Sequence, residues 1–205
     1  MHYEILCEEP SAEAFLREVM PRFFAQGDTF EVYPFQGKSD LLTKLDSRLQ
    51  GYSKWMPNDY KIIILLDRDN DDCSVLKKEI VAKVAAADLR DKSTNPANWN
   101  VATRVICEEL EAWYFGDWDA ARAGFPRLPE NLRSRAAYRD SDAIAGGTWE
   151  AFERILQTYN YQKEGLRKIE VARTVGSHFD SARCNSPSWK VFAELFENET
   201  PVVTP

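Results

Sequence analysis

The run Tyr60-Lys61-Ile62-Ile63-Ile64-Leu65-Leu66 constrains the fold of this chain more than any other stretch. After its first two residues it offers no polar face, and a strand apolar on both sides is a strand covered on both sides. That is the pattern of a central parallel strand. Its aliphatic stretch is far shorter than the roughly 20 residues that a membrane helix needs. The run stops at Asp67-Arg68-Asp69-Asn70-Asp71-Asp72, an acidic turn, and a helical pattern follows over residues 74–89.

The surrounding pattern alternates in the same way. Residues 3–7 read as a first strand. Ser11 is expected to cap the helix that carries Ala14, Phe15, Val19 and Met20, with Glu13 in its first turn. Residues 30–35 read as a second strand, and Ser39 opens a helix bearing Leu41, Leu42, Leu45 and Leu49. Residues 101–107 read as a fourth strand, followed by a helix through Glu111 and Trp113. Repeated β-α-β units with right-handed crossovers predict an α/β fold: an open, mainly parallel sheet flanked by helices. Beyond Asp117 the pattern is helical and loop-rich. Gly146-Gly147 breaks it, and helices are expected over 149–156, 166–175 and 189–196. The expected organisation is an α/β core over 1–116, a helical extension over 117–197 packed on it, and a flexible tail over 198–205.

Three strand ends carry acids: Glu8-Glu9, the run from Asp67 to Asp72, and Glu108-Glu109 with Glu111. Neighbouring strands lie about 4.8 Å apart, so carboxylates that end adjacent strands can share a cation. In open parallel sheets the chemistry gathers beyond the carboxyl ends of the strands. Oxygen ligands of this kind suit Mg²⁺ or Mn²⁺, which bridge one or two carboxylates to phosphate. Singly, each acid has an ordinary explanation: Asp72 as a helix cap, Arg68 as the partner of Asp71. Three clusters at one edge are not explained that way. A calcium loop is excluded. Asp67, Asp69 and Asp71 match its first three ligand positions, but Asp72 and Lys78 stand where it needs Gly and Glu. A phosphoacceptor receiver domain shares the fold class, but the Asp-x-Asp doublet and the lack of a clear fifth strand followed by Lys fit it less well.

The formal net charge of −7 argues against a general nucleic-acid coat or a membrane-surface binder, both of which need a basic field. The excess is local: residues 1–72 hold 14 acids and 8 bases, or −6 of the −7. The cationic candidates sit late in the chain, where Lys163, Arg167, Lys168, Arg173, His178, Arg183 and Asn185 could form part of a phosphate-binding face. Trp113-Tyr114-Phe115 and Trp118 read as core. Cys7, Cys73, Cys107 and Cys184 show no Cys-x-x-Cys pairing, and residues 1–4 show no basic leader. Reduced thiols in a cytoplasmic protein are therefore expected.

Glu8 after the first strand with Asp67-x-Asp69 after a later one resembles the acidic signature of TOPRIM domains. The blocks Glu8-Glu9-Pro10-Ser11, Asp67-Arg68-Asp69-Asn70-Asp71-Asp72-Cys73 and Cys107-Glu108-Glu109-Leu110-Glu111-Ala112-Trp113 are similar to those of a bacterial domain-of-unknown-function family of the TOPRIM-like group. Tyr161-Gln162-Lys163, Ala172-Arg173 and Asn185-Ser186-Pro187-Ser188 resemble its later blocks. The usual Glu-Gly step is Glu8-Glu9 here, which leaves two candidates for that acid. The resemblance implies a TOPRIM-like sheet and a Mg²⁺- or Mn²⁺-dependent phosphodiester-cleaving site. Glu8, Asp67, Asp69 and Asp71 would hold metal, and Glu8, Asp67, Asp69 and Lys168 would be catalytic. Glu9, Glu108 and Glu111 would be outer or alternative ligands, with Lys163, Arg173 and Arg183 on phosphate. It also implies an ABC/AAA-type ATPase partner in an anti-phage, overcoming-lysogenization-like module, either for a nuclease or for a non-catalytic regulatory subunit; the small basic surface, for its part, predicts that nucleic acid is bound only weakly by the chain alone.

Overall fold

The computed structural model describes residues 1–197 apart from Phe23, Ala25, Gln26, Asn70, Leu166 and the side chain of Glu197; the expected tail lies outside the described residues. Four strands, β1 (His2–Cys7), β2 (Thr29–Pro34), β3 (Tyr60–Asp67) and β4 (Val101–Ile106), form one sheet in the order β2-β1-β3-β4. Every pairing is parallel, with Cys7 opposite Leu65 and Asp67 opposite Ile106. The doubly apolar run is indeed a central strand, and Ile62 to Leu66 are all buried.

Alternation along β3 divides the interior. Ile62, Ile64 and Leu66 face α2 (Lys38–Trp55) and α3 (Cys73–Ala86). Ile63 and Leu65 face α1 (Pro10–Val19) and the helices that follow β4: α4 (Glu111–Gly116), α5 (Trp118–Gly124), α6 (Thr148–Thr158), α7 (Lys168–His178) and α8 (Pro187–Glu197). The second face is strongly aromatic. Trp113, Tyr114, Phe115 and Trp118 are all buried, and Trp113 stacks edge-on to Trp189 at 4.8 Å. Among the described residues no helix is long and apolar enough to cross a membrane.

The first helix departs from the sequence expectation. Pro10 holds its first position and Glu9 its N-cap, while Ser11 lies inside the helix and donates to Glu9 Oε1 at 2.5 Å. Proline suits the first turn, because its missing N–H would have no helical partner there and its φ is already helical. Helix α7 runs beside α1 in the same direction. Gly176 lets the backbones approach, since a Cβ there would lie 3.1 Å from the Phe15 carbonyl oxygen. Arg22 donates to the Gly176 and Ser177 carbonyls at one end, and Lys168 meets Glu9 at the other. Both helices therefore begin at the carboxyl edge of the sheet.

The C-terminal half is tied down through Asp117, 1% exposed. Its carboxylate accepts from the N–H groups of Ala120 and Asp180 and from Arg183 Nε and Nη2, each of these last two at 3.0 Å. Asp117→Ala leaves several donors without an acceptor, at about 1 kcal/mol or more each. It is expected to lower the unfolding free energy by about 3 kcal/mol in urea titrations. Arg183→Ala should cost about 1 kcal/mol or less, because that guanidinium is 43% exposed and can be rehydrated. Equal losses would show that the ion pair, and not the buried carboxylate, closes this corner.

Candidate functional site

The sheet order creates a switch point. From β1 the chain leaves through α1 to β2 on one side, and from β3 it leaves through α3 to β4 on the other. The two departing helices cover opposite faces, so a crevice opens between the carboxyl ends of β1 and β3, where ligands bind in folds of this kind. Glu8 and Asp67 stand at its two sides, and the Asp67 N–H donates to Glu8 Oε2 at 3.2 Å.

Asp67 shares the face of Ile63 and Leu65 and is 9% exposed. Its proton is held well above the usual carboxylate range, first by burial and then by the charges of Glu8, Glu111, Glu9 and Asp69. Glu8 is raised as well, mainly by burial; the Asp67 N–H and the Lys38 ammonium and N–H work against that rise. Glu111, the first residue of α4, is 2% exposed, and among the described residues its Oε2 has no hydrogen-bond partner. Burial pushes it up to about 7, although Lys168 pulls the other way. The hydroxyl of Tyr114, one turn further along α4, is also buried without a partner, and it feels the charges of Glu111, Glu9 and Asp67. Buried polar atoms normally have partners, so these two leave unused hydrogen-bonding capacity beside the acidic crevice.

Two lysines meet the acids of this edge. Lys168 lies 3.6 Å from Glu9 Oε1 and sits over the Trp149 ring at 5.0 Å, which brings it to the acidic edge. Lys38 was not foreseen. It follows β2, whose end leads into Phe35-Gln36-Gly37 and not into acids, and Gly37 turns the chain at φ +98°. Its ammonium donates to Asp69 Oδ2 at 2.6 Å, Asp71 Oδ2 at 2.7 Å and the Arg68 carbonyl at 3.2 Å. The sequence signal was present: one strand end in this sheet carries a lysine where the other three carry acids.

The remaining candidates have other partners. Glu108 pairs with Arg68 and not with the crevice. Its carbonyl accepts from the Asp69 N–H at 3.0 Å, and both residues have positive φ, 63° and 49°. Glu109 caps α6, accepting from the Trp149 N–H at 2.9 Å and the Thr148 hydroxyl. Asp72 caps α3 through the N–H groups of Ser74 and Val75, which lower its pKa. Arg183, expected on phosphate, is committed to Asp117 at the far end of α4 from Glu111. Arg167 pairs with Glu170 at 3.5 Å. Lys163 and Arg173 are exposed; Arg173 lies five residues beyond Lys168, about 140° round the helix, so the two do not form one cationic face. Among the described residues no three His, Cys, Asp or Glu side chains are already drawn together as a metal cluster.

Fold and site together define an open parallel α/β protein with a buried acidic switch point flanked by lysines. The chain belongs to the family described as domain of unknown function DUF4276, whose model matches residues 7–197. No curated protein and no solved structure gives a significant match.

Glu111 links the crevice to folding. Between its ordinary value of 4.5 and about 7, the folded chain holds a proton that the unfolded chain has released. The folded state is therefore favoured at low pH, and stability is lost as pH rises through that window. In metal-free protein, wild type is expected to lose stability between pH 5 and pH 8, and Glu111→Gln to lose less. At about 1.4 kcal/mol per tenfold change, the ceiling on the difference at pH 8 is about 3 kcal/mol. Parallel urea-midpoint profiles for the two proteins would show that Glu111 ionises as an exposed acid does.

Proposed function

We propose that this protein is a divalent-cation-dependent phosphodiester hydrolase with its active site between the ends of β1 and β3. The observation that carries this reading is the pairing of Glu8 with Asp67 across the crevice, the Asp67 N–H donating to Glu8, with the buried Glu111 near enough for its charge to act on Asp67. Like charges so placed repel, and a bound cation relieves that repulsion. The donor set is all oxygen and anionic, which fits Mg²⁺ or Mn²⁺. Glu8 and Asp67 would hold the ion, which supplies Lewis acidity at the phosphoryl oxygen and a more acidic bound water.

The chain's own groups complete the chemistry. Lys168, braced by Glu9 and Trp149, stabilises negative charge on the phosphate. Glu111 Oε2, without a partner among the described residues, serves as a proton acceptor for the attacking water, returning the proton to the leaving alkoxide as the P–O bond breaks. The aromatic wall below, Tyr114 with Phe152 and Phe15, excludes bulk water from behind the acids. A TOPRIM-like relation and a nucleic-acid substrate accord with this arrangement. The small number of uncommitted cations near the crevice accords with a substrate delivered by a partner, for which an ABC/AAA-type ATPase is the candidate.

The test is cleavage of single- and double-stranded DNA and RNA in Mg²⁺ or Mn²⁺. Asp67→Asn and Glu8→Gln are each expected to lower the rate by at least a hundredfold, and Lys168→Met by tenfold or more with the metal requirement intact. Unchanged rates in both acid variants would remove the active site from this edge. A folded variant that binds no Mn²⁺ yet still binds an ATPase partner would instead favour a regulatory subunit.

A further inference from the structure

Only 15% of the Lys38 side chain is exposed, at the start of an 18-residue helix. An ammonium has three N–H donors and no acceptor. Three oxygens take them all: one each from Asp69 and Asp71, and the Arg68 carbonyl. Burial disfavours the Lys38 charge, but the bonds to Asp69 and Asp71 and the charge of Glu8 outweigh it and raise the Lys38 pKa. With every donor engaged, Lys38 has none left for a substrate phosphate.

Two carboxylates and a carbonyl around one positive centre are also what a hard divalent ion selects, at shorter range. The place is open to ions, because Asp69, Asp71 and Lys38 line a groove of about 770 Å³ with Ser39, Thr43 and Lys83. It adjoins the Glu8–Asp67 crevice, since the Lys38 N–H and ammonium both act on Glu8, but it is built from the other face of the sheet. Asp67 faces the α1 and α4 side with Ile63 and Leu65, whereas Lys38 arrives from α2 on the opposite face. The backbone of Asp69 is held in its left-handed conformation by the bond to the Glu108 carbonyl, which fixes where its carboxylate projects.

We propose that Lys38 is a resident counter-cation that occupies the position a second divalent ion would take between Asp69 and Asp71, so that the edge admits one divalent ion and not two. This deepens the function proposed above and rests on it only for the first ion. It also changes what Asp69 and Asp71 are for: they hold a lysine, and they are not ligands of the ion at Glu8 and Asp67.

The test counts bound Mn²⁺ by electron paramagnetic resonance and calorimetry, with the metal alone, on wild type, Lys38→Met and Asp69→Asn/Asp71→Asn. Thermal unfolding checks that each is folded. One ion is expected in wild type, two in Lys38→Met, and one in the double variant, with affinity within about threefold of wild type. The double variant keeps the experiment decisive if Lys38→Met is too unstable to purify. Two ions in wild type, no gain in Lys38→Met, or loss of the ion in the double variant would each overturn the inference. No ion in wild type but one in Lys38→Met would uphold the counter-cation and sink the Glu8–Asp67 ion site. No ion in either would sink both.

Discussion

Repulsion among carboxylates governs the edge of this sheet. Parallel pairing sets the ends of β1, β3 and β4 side by side, and each end is acidic, so the register that builds the core also concentrates like charge. At the separation of neighbouring strands, two carboxylates repel by about 1 kcal/mol even in water and by several at the lower effective dielectric of a protein surface. Much of the local architecture answers that repulsion. Lys38 takes Asp69 and Asp71, Arg68 takes Glu108, and the first turns of α6 and α3 take Glu109 and Asp72. Among the described residues Asp67 and Glu111 form no ion pair, although Lys168 draws on Glu111, and burial makes their carboxyls hold protons more tightly.

The helical C-terminal half has a function in that economy. Helix α7 lies along α1 because Gly176 permits it and Arg22 closes its last turn. The parallel alignment delivers Lys168 to Glu9, more than 150 residues away in sequence. Asp117 anchors the corner between α4 and the segment before α8, and α4 in turn presents Glu111 to the crevice. The aromatic core that looks like simple packing is thus the support on which one acid and one base of the site are held.

The sheet could be read from the residues because periodicity and strand-end chemistry are local. Tyr60 to Leu66 has no polar face, and a strand of that kind goes to the middle of a parallel sheet. Convergence of acids at one edge followed from the same reasoning. Which acids enter the crevice did not, because that depends on partners brought together by the fold. Glu108 and Glu111 look equivalent in sequence, yet the positive φ of Glu108 turns it toward Arg68 while Glu111 starts a helix and is buried. Arg183 looked like a phosphate ligand because its buried partner, Asp117, lies 66 residues away. Ser11 looked like a cap, but Pro10 had already started the helix.

Lys38 shows the same limit from the other side. A lone lysine after a strand carries no motif, and its meaning comes from α2 crossing back over β1 to place it against the β3–α3 loop. Once there, it divides the acids of this edge into two groups, taking Asp69 and Asp71 for itself. One group is neutralised by the chain itself, and the other keeps its unbalanced charge. Selective neutralisation of this kind makes a metal site specific in position, because an ion gains most where the protein has left the repulsion unrelieved.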